Sequence, residues 1–272
     1  MTEYGISTWI AKNIACEEAI RLFASSGFRE IELSACLAAI VAEWEADPGR
    51  IAARLRDNGL RVRQIHSPDH ARQLDHPDPQ IRRESIEANC AYFEPALRTG
   101  AEWIAIHPTG AEGEEGEGGR EGRKARAIES LQILAGRAAE AGIGLAVENL
   151  PTRDNRRPGA TMSELLDMID GLPGKVGLCF DIGHTIQTGL DPIAEIETAG
   201  ARLVSLHLHD VDSNGKDHYV PGEGVIDWNA VLGTLGRIGF GGVRTLEILP
   251  PKGDVRERIE AVAAVRRQWE SQ

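Results

Sequence analysis

Eight short apolar runs, separated by amphipathic segments of helical length, constrain what this chain can fold into. In order they are YGISTW, REIELS, LRVRQIH, EWIAIHP, IGLAVENL, KVGLCFD, RLVSLHLHD and VRTLEIL. Helical periodicity fills the intervals near residues 15–26, 47–58, 78–99, 123–141, 161–170, 191–199, 227–238 and 254–269. Capping signals such as Asp191-Pro192 and Asp227 open several of these. Eight strand–helix units within 272 residues are the arithmetic of a closed (β/α)8 barrel, the TIM-barrel form of the α/β class. No Pro-, Gly- or Ser-rich linker divides the units, so one domain over residues 1–272 is expected.

Side chains alternate along a strand, so the parity of each run predicts which residues face the barrel interior. Glu148 faces inward with Gly144 and Ala146, and Asp181 with Gly177 and Cys179. His207 and His209 share a face with Ser205, Glu247 with Thr245, His107 with Ala105, and His66 with Gln64. Glu32 falls opposite Ile31 and Leu33. These groups collect at the C-terminal ends of the strands, where barrels of this kind build their active sites.

Glu148, Asp181 and Glu247 thus bring three carboxylates into one enclosed space, where repulsion would force protonation unless a cation neutralised them. His207 supplies a fourth ligand. The set is hard and oxygen-rich, which favours one manganese, magnesium or cobalt ion and leaves zinc as an alternative. Such a cation acidifies a C–H beside a carbonyl, and Glu148 and Glu247 are placed to act as general base and acid. His184 would orient substrate or a ligand, and Glu32, His66, His107 and His209 are further candidate substrate contacts.

The remaining features bound the function. No run approaches the ~18 apolar residues that span a bilayer, and the first residues, MTEYGISTWIAKN, lack signal-peptide character. A cytoplasmic enzyme with a small-molecule substrate is expected. Cys16, Cys36, Cys90 and Cys179 form no C-x-x-C pair and read as reduced thiols. The formal net charge of −12 disfavours nucleic acid and anionic membranes as partners. No apolar stripe names an oligomer interface, although barrels commonly associate through helices or loops and a homo-oligomer stays open. The acidic, glycine-rich segment 110–122 reads as a surface loop after the fourth strand, either a lid or plain solvated chain.

Beyond these readings, the sequence resembles the xylose-isomerase-like TIM barrels, a superfamily of sugar-phosphate isomerases and epimerases that includes endonuclease IV. The resemblance spans essentially the whole chain. It is carried by IHP ending at Pro108, AVEN around Glu148, FDIGH from Phe180 to His184, LHLHD from Leu206 to Asp210, HYVPGEGVIDW from His218 to Trp228, and TLEI around Glu247. It implies a divalent metal on Glu148, Asp181, His207 and Glu247, with isomerase, epimerase or dehydratase chemistry through an enediolate and His218 as a further substrate contact.

The run ENLPTRD is similar to hydroxypyruvate isomerase, which implies substrate contacts at Arg153 and Asp154. Free-ketose 3-epimerases carry an arginine six residues after the metal histidine, where this chain has Ser213. Arg153, Arg156 and Arg157 could grip a carboxylate or phosphate, or form a solvated basic loop. Endonuclease IV provides the alternative, a zinc phosphodiesterase on abasic DNA. Eight of its nine ligand positions are matched by His66, His107, Glu148, Asp181, His184, His207, His218 and Glu247, but the ninth is Lys216, with Asp217 adjacent and out of step.

Overall fold

The computed structural model describes residues 3–34, 46–111 and 118–271. Cys36 and the centre of the acidic segment lie outside the described residues. Eight parallel strands close into a barrel in sequence order: β1 (Gly5–Ser7), β2 (Glu30–Ser34), β3 (Arg61–His66), β4 (Trp103–Ile106), β5 (Gly144–Glu148), β6 (Val176–Asp181), β7 (Leu203–Leu208) and β8 (Val243–Leu246), with β8 pairing back onto β1. This is the expected (β/α)8 TIM barrel.

Around it lie helices α1 (Cys16–Ser25), α2 (Pro48–Asp57), α3 (Pro79–Cys90), α4 (Phe93–Thr99), α5 (Gly119–Ala141), α6 (Met162–Ile169), α7 (Ile182–Thr188), α8 (Pro192–Ala199), α9 (Trp228–Arg237) and α10 (Val255–Glu270). Asp191 and Asp227 cap their helices as expected, accepting the amides of Ile193 and Ala230. Two helices depart from the periodicity. The segment expected to be continuous over 78–99 breaks into α3 and α4, because Pro95 has no N–H to offer the carbonyl one turn back. The short α7 has no counterpart in the periodicity; it forms because Asp181 caps it through the amide of His184, at 2.7 Å.

Apolar packing occurs in two compartments. The larger lies between strands and helices, where Ile104, Leu145, Val147, Leu178, Phe180, Leu206 and Leu246 are fully buried. A smaller plug of Trp103, Ala146, Cys179 and Val243, with Val204 against it, fills the lower part of the barrel. Gly144 makes room for that plug: a Cβ there would lie 2.5 Å from the Trp103 ring. With the lower half stoppered, the polar side chains of the strands gather in the upper half.

Register is regular except at two places. Ile31 pairs Val62 but Glu32 pairs Gln64, and Leu178 pairs Leu203 but Cys179 pairs Ser205. Each is a β-bulge that skips one residue, Arg63 in β3 and Val204 in β7. Above the barrel, buried Arg123 staples two connections together. Its Nε donates to Asp75 Oδ2 at 2.5 Å and its Nη2 to the carbonyl of Gly110 at 3.0 Å, while the Gly110 amide donates to Asp75 Oδ1 at 2.7 Å. Among the described residues no helix is long and apolar enough to cross a membrane.

Candidate active site

Glu148 ends β5, Asp181 ends β6, His207 lies one residue before the end of β7, and Glu247 follows β8 directly. The four side chains meet around one atom. His207 Nδ1 is 3.3 Å from Glu148 Oε1, 3.3 Å from Glu247 Oε2 and 4.0 Å from Asp181 Oδ2. It is buried and makes no hydrogen bond among the described residues. The other ring nitrogen, Nε2, is 2.8 Å from Glu32 Oε2; with that oxygen accepting, Nε2 keeps a proton and Nδ1 is left for a second proton or a cation.

A second group adjoins the first. Glu148 Oε2, also buried without a hydrogen bond, is 3.3 Å from His66 Nε2 and 3.4 Å from His107 Nε2. His66 donates Nδ1–H to the carbonyl of Ser67 at 2.8 Å, which turns Nε2 toward Glu148. His184 likewise donates Nδ1–H to the carbonyl of Asn149 at 2.9 Å. Asn149 also clamps the next strand, accepting the Asp181 amide at 2.7 Å and donating to the Asp181 carbonyl at 3.0 Å.

The electrostatics are those of a site built around positive charge. Burial raises the Glu148 carboxyl, but His207 and His107 together outweigh it and hold the group well below its ordinary value. Burial is similarly overcome at Glu247, held at about 2 beside His207 and His218, and at Asp181 beside His184 and His209. At His207 burial opposes a charge, yet the carboxyl groups of Glu247, Glu32 and Glu148 hold the imidazole protonated well above its usual range. Burial pushes His107 down to about 3, so it is neutral near pH 7. Burial also drives the Cys179 thiol up to about 11, out of the pool of anionic ligands.

The residues fit a divalent cation. Three ionised, buried carboxylates around one ring nitrogen without a hydrogen bond are a costly arrangement that such an ion would relieve. Glu148, Asp181, His207 and Glu247 would hold it. His66, His107 and Glu148 form a further trio of ligand atoms close enough to share an ion.

The site opens on a cavity of about 220 Å3 lined by Trp9, Ser34, His66, Arg72, His107, Glu148, His184, His218 and Glu247. His66, His107, His184 and His218 therefore line the cavity. Glu32 and His209 do not: both are fully buried, Glu32 against His207 and His209 against Asp181, so each touches a carboxylate or imidazole of the cluster instead of the cavity. Arg153 lines a separate cavity of about 400 Å3 together with Arg157 and Gln187, and the side chain of Asp154 is 83% exposed. Neither lines the cavity at the cluster.

Four residues at or beside the cavity carry no sequence signal for their place. Trp9 follows β1 and meets the His218 ring edge-on at 4.8 Å. Ser34 ends β2, and Arg72 lies in the β3–α3 connection with no motif to mark it. Asp217, out of step with a ligand position by spacing, pairs with His218 Nδ1 at 3.1 Å. Burial would raise Asp217, but His218 holds it at about 2, while Asp217 and Glu247 raise His218 to about 10 against burial.

Comparison with known proteins is decisive for the family. Residues 20–265 match the sequence model of the xylose isomerase-like TIM barrel. The protein belongs to that family. An uncharacterised protein of Methanocaldococcus jannaschii is 26% identical to this xylose isomerase-like barrel over 188 residues, 67% of the chain and 63% of the relative. Inosose dehydratase of Lacticaseibacillus casei is 29% identical over 129 residues, 41% of the chain and 42% of the relative. The matched segments thus span less than two thirds of either relative.

Among solved structures, a D-tagatose 3-epimerase-like protein superimposes with a TM-score of 0.83 at 20% identity, over 98% of this barrel and 97% of that chain. IOLI protein with a bound zinc atom gives 0.84 at 18% identity, over 99% and 98%. At such identities these likenesses establish the fold.

Proposed function

We propose that the protein is a divalent-metal-dependent isomerase or epimerase acting on a small hydroxy-carbonyl compound such as a sugar, a cyclitol ketone or a ketoacid. The observation that carries this reading is the bare His207 Nδ1 at the focus of three buried carboxylates. A divalent cation there would supply the charge that acidifies a C–H beside a carbonyl and offsets the developing enediolate. Glu148 and Glu247 enter from strands on different sides of the cavity and are both ionised, so one can take the proton while the other, once protonated, returns one. His66, His107 and His184 offer polar atoms to substrate oxygens, and Trp9 presents a flat apolar wall of the kind sugar rings pack against. A dehydratase would use the same proton abstraction followed by loss of a neighbouring hydroxyl; the partial likeness to inosose dehydratase supports keeping cyclitol ketones among the substrates.

A second reading rests on the trio of His66, His107 and Glu148, which could hold another ion and would suit a zinc phosphodiesterase. The net charge of −12 weighs against a nucleic-acid substrate. The test begins with metal counting on protein purified without added metal or chelator. Metal-replete protein is then incubated in D2O with ketoses, inososes and hydroxy-ketoacids while deuterium entry beside the carbonyl is followed by NMR. One ion per chain with chelator-sensitive exchange supports the isomerase reading. Two or three zinc ions with cleavage of abasic DNA and no exchange would replace it.

A further inference from the structure

We infer that Glu32 and Gln64 form a buried clasp that positions His207, and that the two bulges of the barrel exist to assemble it. Glu32 Oε2 receives two donors, Gln64 Nε2 at 2.7 Å and His207 Nε2 at 2.8 Å, and the two nitrogens lie 3.2 Å apart, as two donors sharing one acceptor do. All three side chains are 0% exposed, so no solvent competes for these bonds. They come from three strands, β2, β3 and β7, and β7 lies across the barrel from the other two.

The register explains why they meet. Without the bulge in β3, Glu32 would pair with Arg63; the skipped residue brings Gln64 level with it. Arg63 turns away instead, to Glu30 at 2.8 Å and Glu102 at 2.9 Å. Without the bulge in β7, Cys179 would pair with Val204 and Asp181 with Leu206; the skipped residue brings Ser205 and His207 to those places. The two register shifts of the barrel thus fall on the strands carrying Gln64 and His207. Bulges that re-aim a side chain next to a site are a recurrent use of this irregularity.

The consequence for His207 is chemical. Glu32 accepts from Nε2, which fixes the ring with its proton on Nε2 and aims Nδ1 at Glu148, Asp181 and Glu247. Gln64 fixes Glu32 in turn. Neither residue lines the cavity, so both are positioning residues that never touch substrate. This inference rests on the proposed cation site, and its test separates the two.

Manganese affinity is measured by EPR titration and the histidine tautomers of zinc-loaded protein by two-bond 15N–1H correlation, for wild type, Glu32→Gln and Gln64→Met. Failure of wild type to bind manganese or zinc would sink the cation site itself. Given wild-type binding, Glu32→Gln is expected to lose roughly 10- to 100-fold in affinity and to move the 15N shift of His207 Nε2, whose acceptor changes from a carboxyl group to a neutral amide. Gln64→Met, which removes one donor and keeps the volume, should lose affinity in the same direction by less, and it decides the matter if Glu32→Gln does not fold. Affinity within twofold of wild type and an unchanged His207 Nε2 shift in the folded variants would overturn the clasp.

Discussion

His209 sets its Nε2 against both carboxylate oxygens of Asp181, at 3.1 and 3.0 Å, while its Nδ1 accepts the backbone amide of His218 at 2.9 Å. A nitrogen that accepts an N–H carries no proton of its own, so the opposite nitrogen donates to Asp181. The histidine therefore holds Asp181 in place and ties the loop bearing His218 to the cluster. His209→Ala should weaken divalent-metal binding by about 10- to 100-fold without removing a direct ligand, as loss of an orienting partner does. Isothermal titration with manganese checks it; unchanged affinity would mean Asp181 needs no such support.

Gly183 is required by that same histidine. A Cβ at this position would lie 2.0 Å from His209 Cε1 and 2.7 Å from Nδ1, a contact that alanine, with no rotamer to change, cannot avoid. Gly183→Ala should cost about 1–3 kcal/mol from overpacking and reproduce the metal defect of His209→Ala. Gly136 is the contrast, inside α5 with nothing within 4 Å of the place a Cβ would take. There Gly→Ala should raise stability by about 0.5–1 kcal/mol. Urea denaturation of both variants tests the pair, and a Gly183→Ala protein as stable as wild type would contradict the packing argument.

Much of this arrangement is legible in the sequence because the (β/α)8 topology converts strand parity into position. Glu148, Asp181, His207 and Glu247 converge because their strands end at one face of one barrel, and period two decides which side chains point in. Parity says nothing of depth or of partners, so it assigns Glu32 and His209 to the cavity when each lies behind a member of the cluster. Bulges are equally silent, since they depend on three-dimensional twist and not on pattern. Arg72, Trp9 and Asp217 lie on connections, where no periodicity links a residue to a direction. The pairing of Arg157 with Thr109, whose carbonyl it reaches at 2.8 Å, shows a basic loop residue serving the packing of two connections.

Asp210 is the hub of the connection after β7. Its Oδ1 accepts the amides of Val211 at 2.9 Å and Ile226 at 3.2 Å; its Oδ2 accepts Gly222 N–H at 2.7 Å and Trp228 Nε1–H at 3.0 Å. This loop carries His218 in a left-handed conformation, φ +61°, which a non-glycine residue holds only when its surroundings impose it. Asp210→Ala leaves these donors without their acceptor and should cost ~3 kcal/mol, several hydrogen bonds to a charged group being lost together. Amide exchange at Gly222 and Ile226 should accelerate while metal binding persists, because the hydrogen bonds of the Asp210 side chain go to Val211, Gly222, Ile226 and Trp228 and to none of the four cluster residues. Retained protection at those amides would count against the hub.

Glu164 gives a pH signature away from the cluster. Its Oε2 accepts the Gly159 amide at 2.8 Å and Arg120 Nη2 at 2.7 Å, joining the β5–α6 connection to the start of α5. Burial raises this carboxyl, but Arg120 and the Gly159 amide bring it below its ordinary value. A depressed carboxylate contributes stability that is present above its unfolded value and is lost as pH falls through the folded one. Glu164→Gln should therefore be less stable than wild type by ~1 kcal/mol at pH 7, an amount discounted for partial solvent screening. The gap should narrow below about pH 4.3, the ordinary glutamate value. Paired urea melts across that range test it, and a gap independent of pH would show that the charge plays no part.

Glu148 and Glu247 differ in their surroundings, and isotope exchange can separate their roles. Glu148 is 1% exposed, with His207 and His184 near Oε1 and His66 and His107 near Oε2; Glu247 is 7% exposed and meets His207 and His218 through Oε2. Each Glu→Gln change keeps shape while removing the capacity to carry a proton, so both variants should fold and both should lose about 100- to 10,000-fold in turnover. The residue that takes the substrate proton controls exchange of that hydrogen with D2O, whereas its partner controls only the return step. One variant should therefore lose both exchange and product, and the other should keep exchange from one substrate epimer or isomer while forming no product. If both variants retain wild-type turnover, neither glutamate moves the proton and the base must be sought among the histidines lining the cavity.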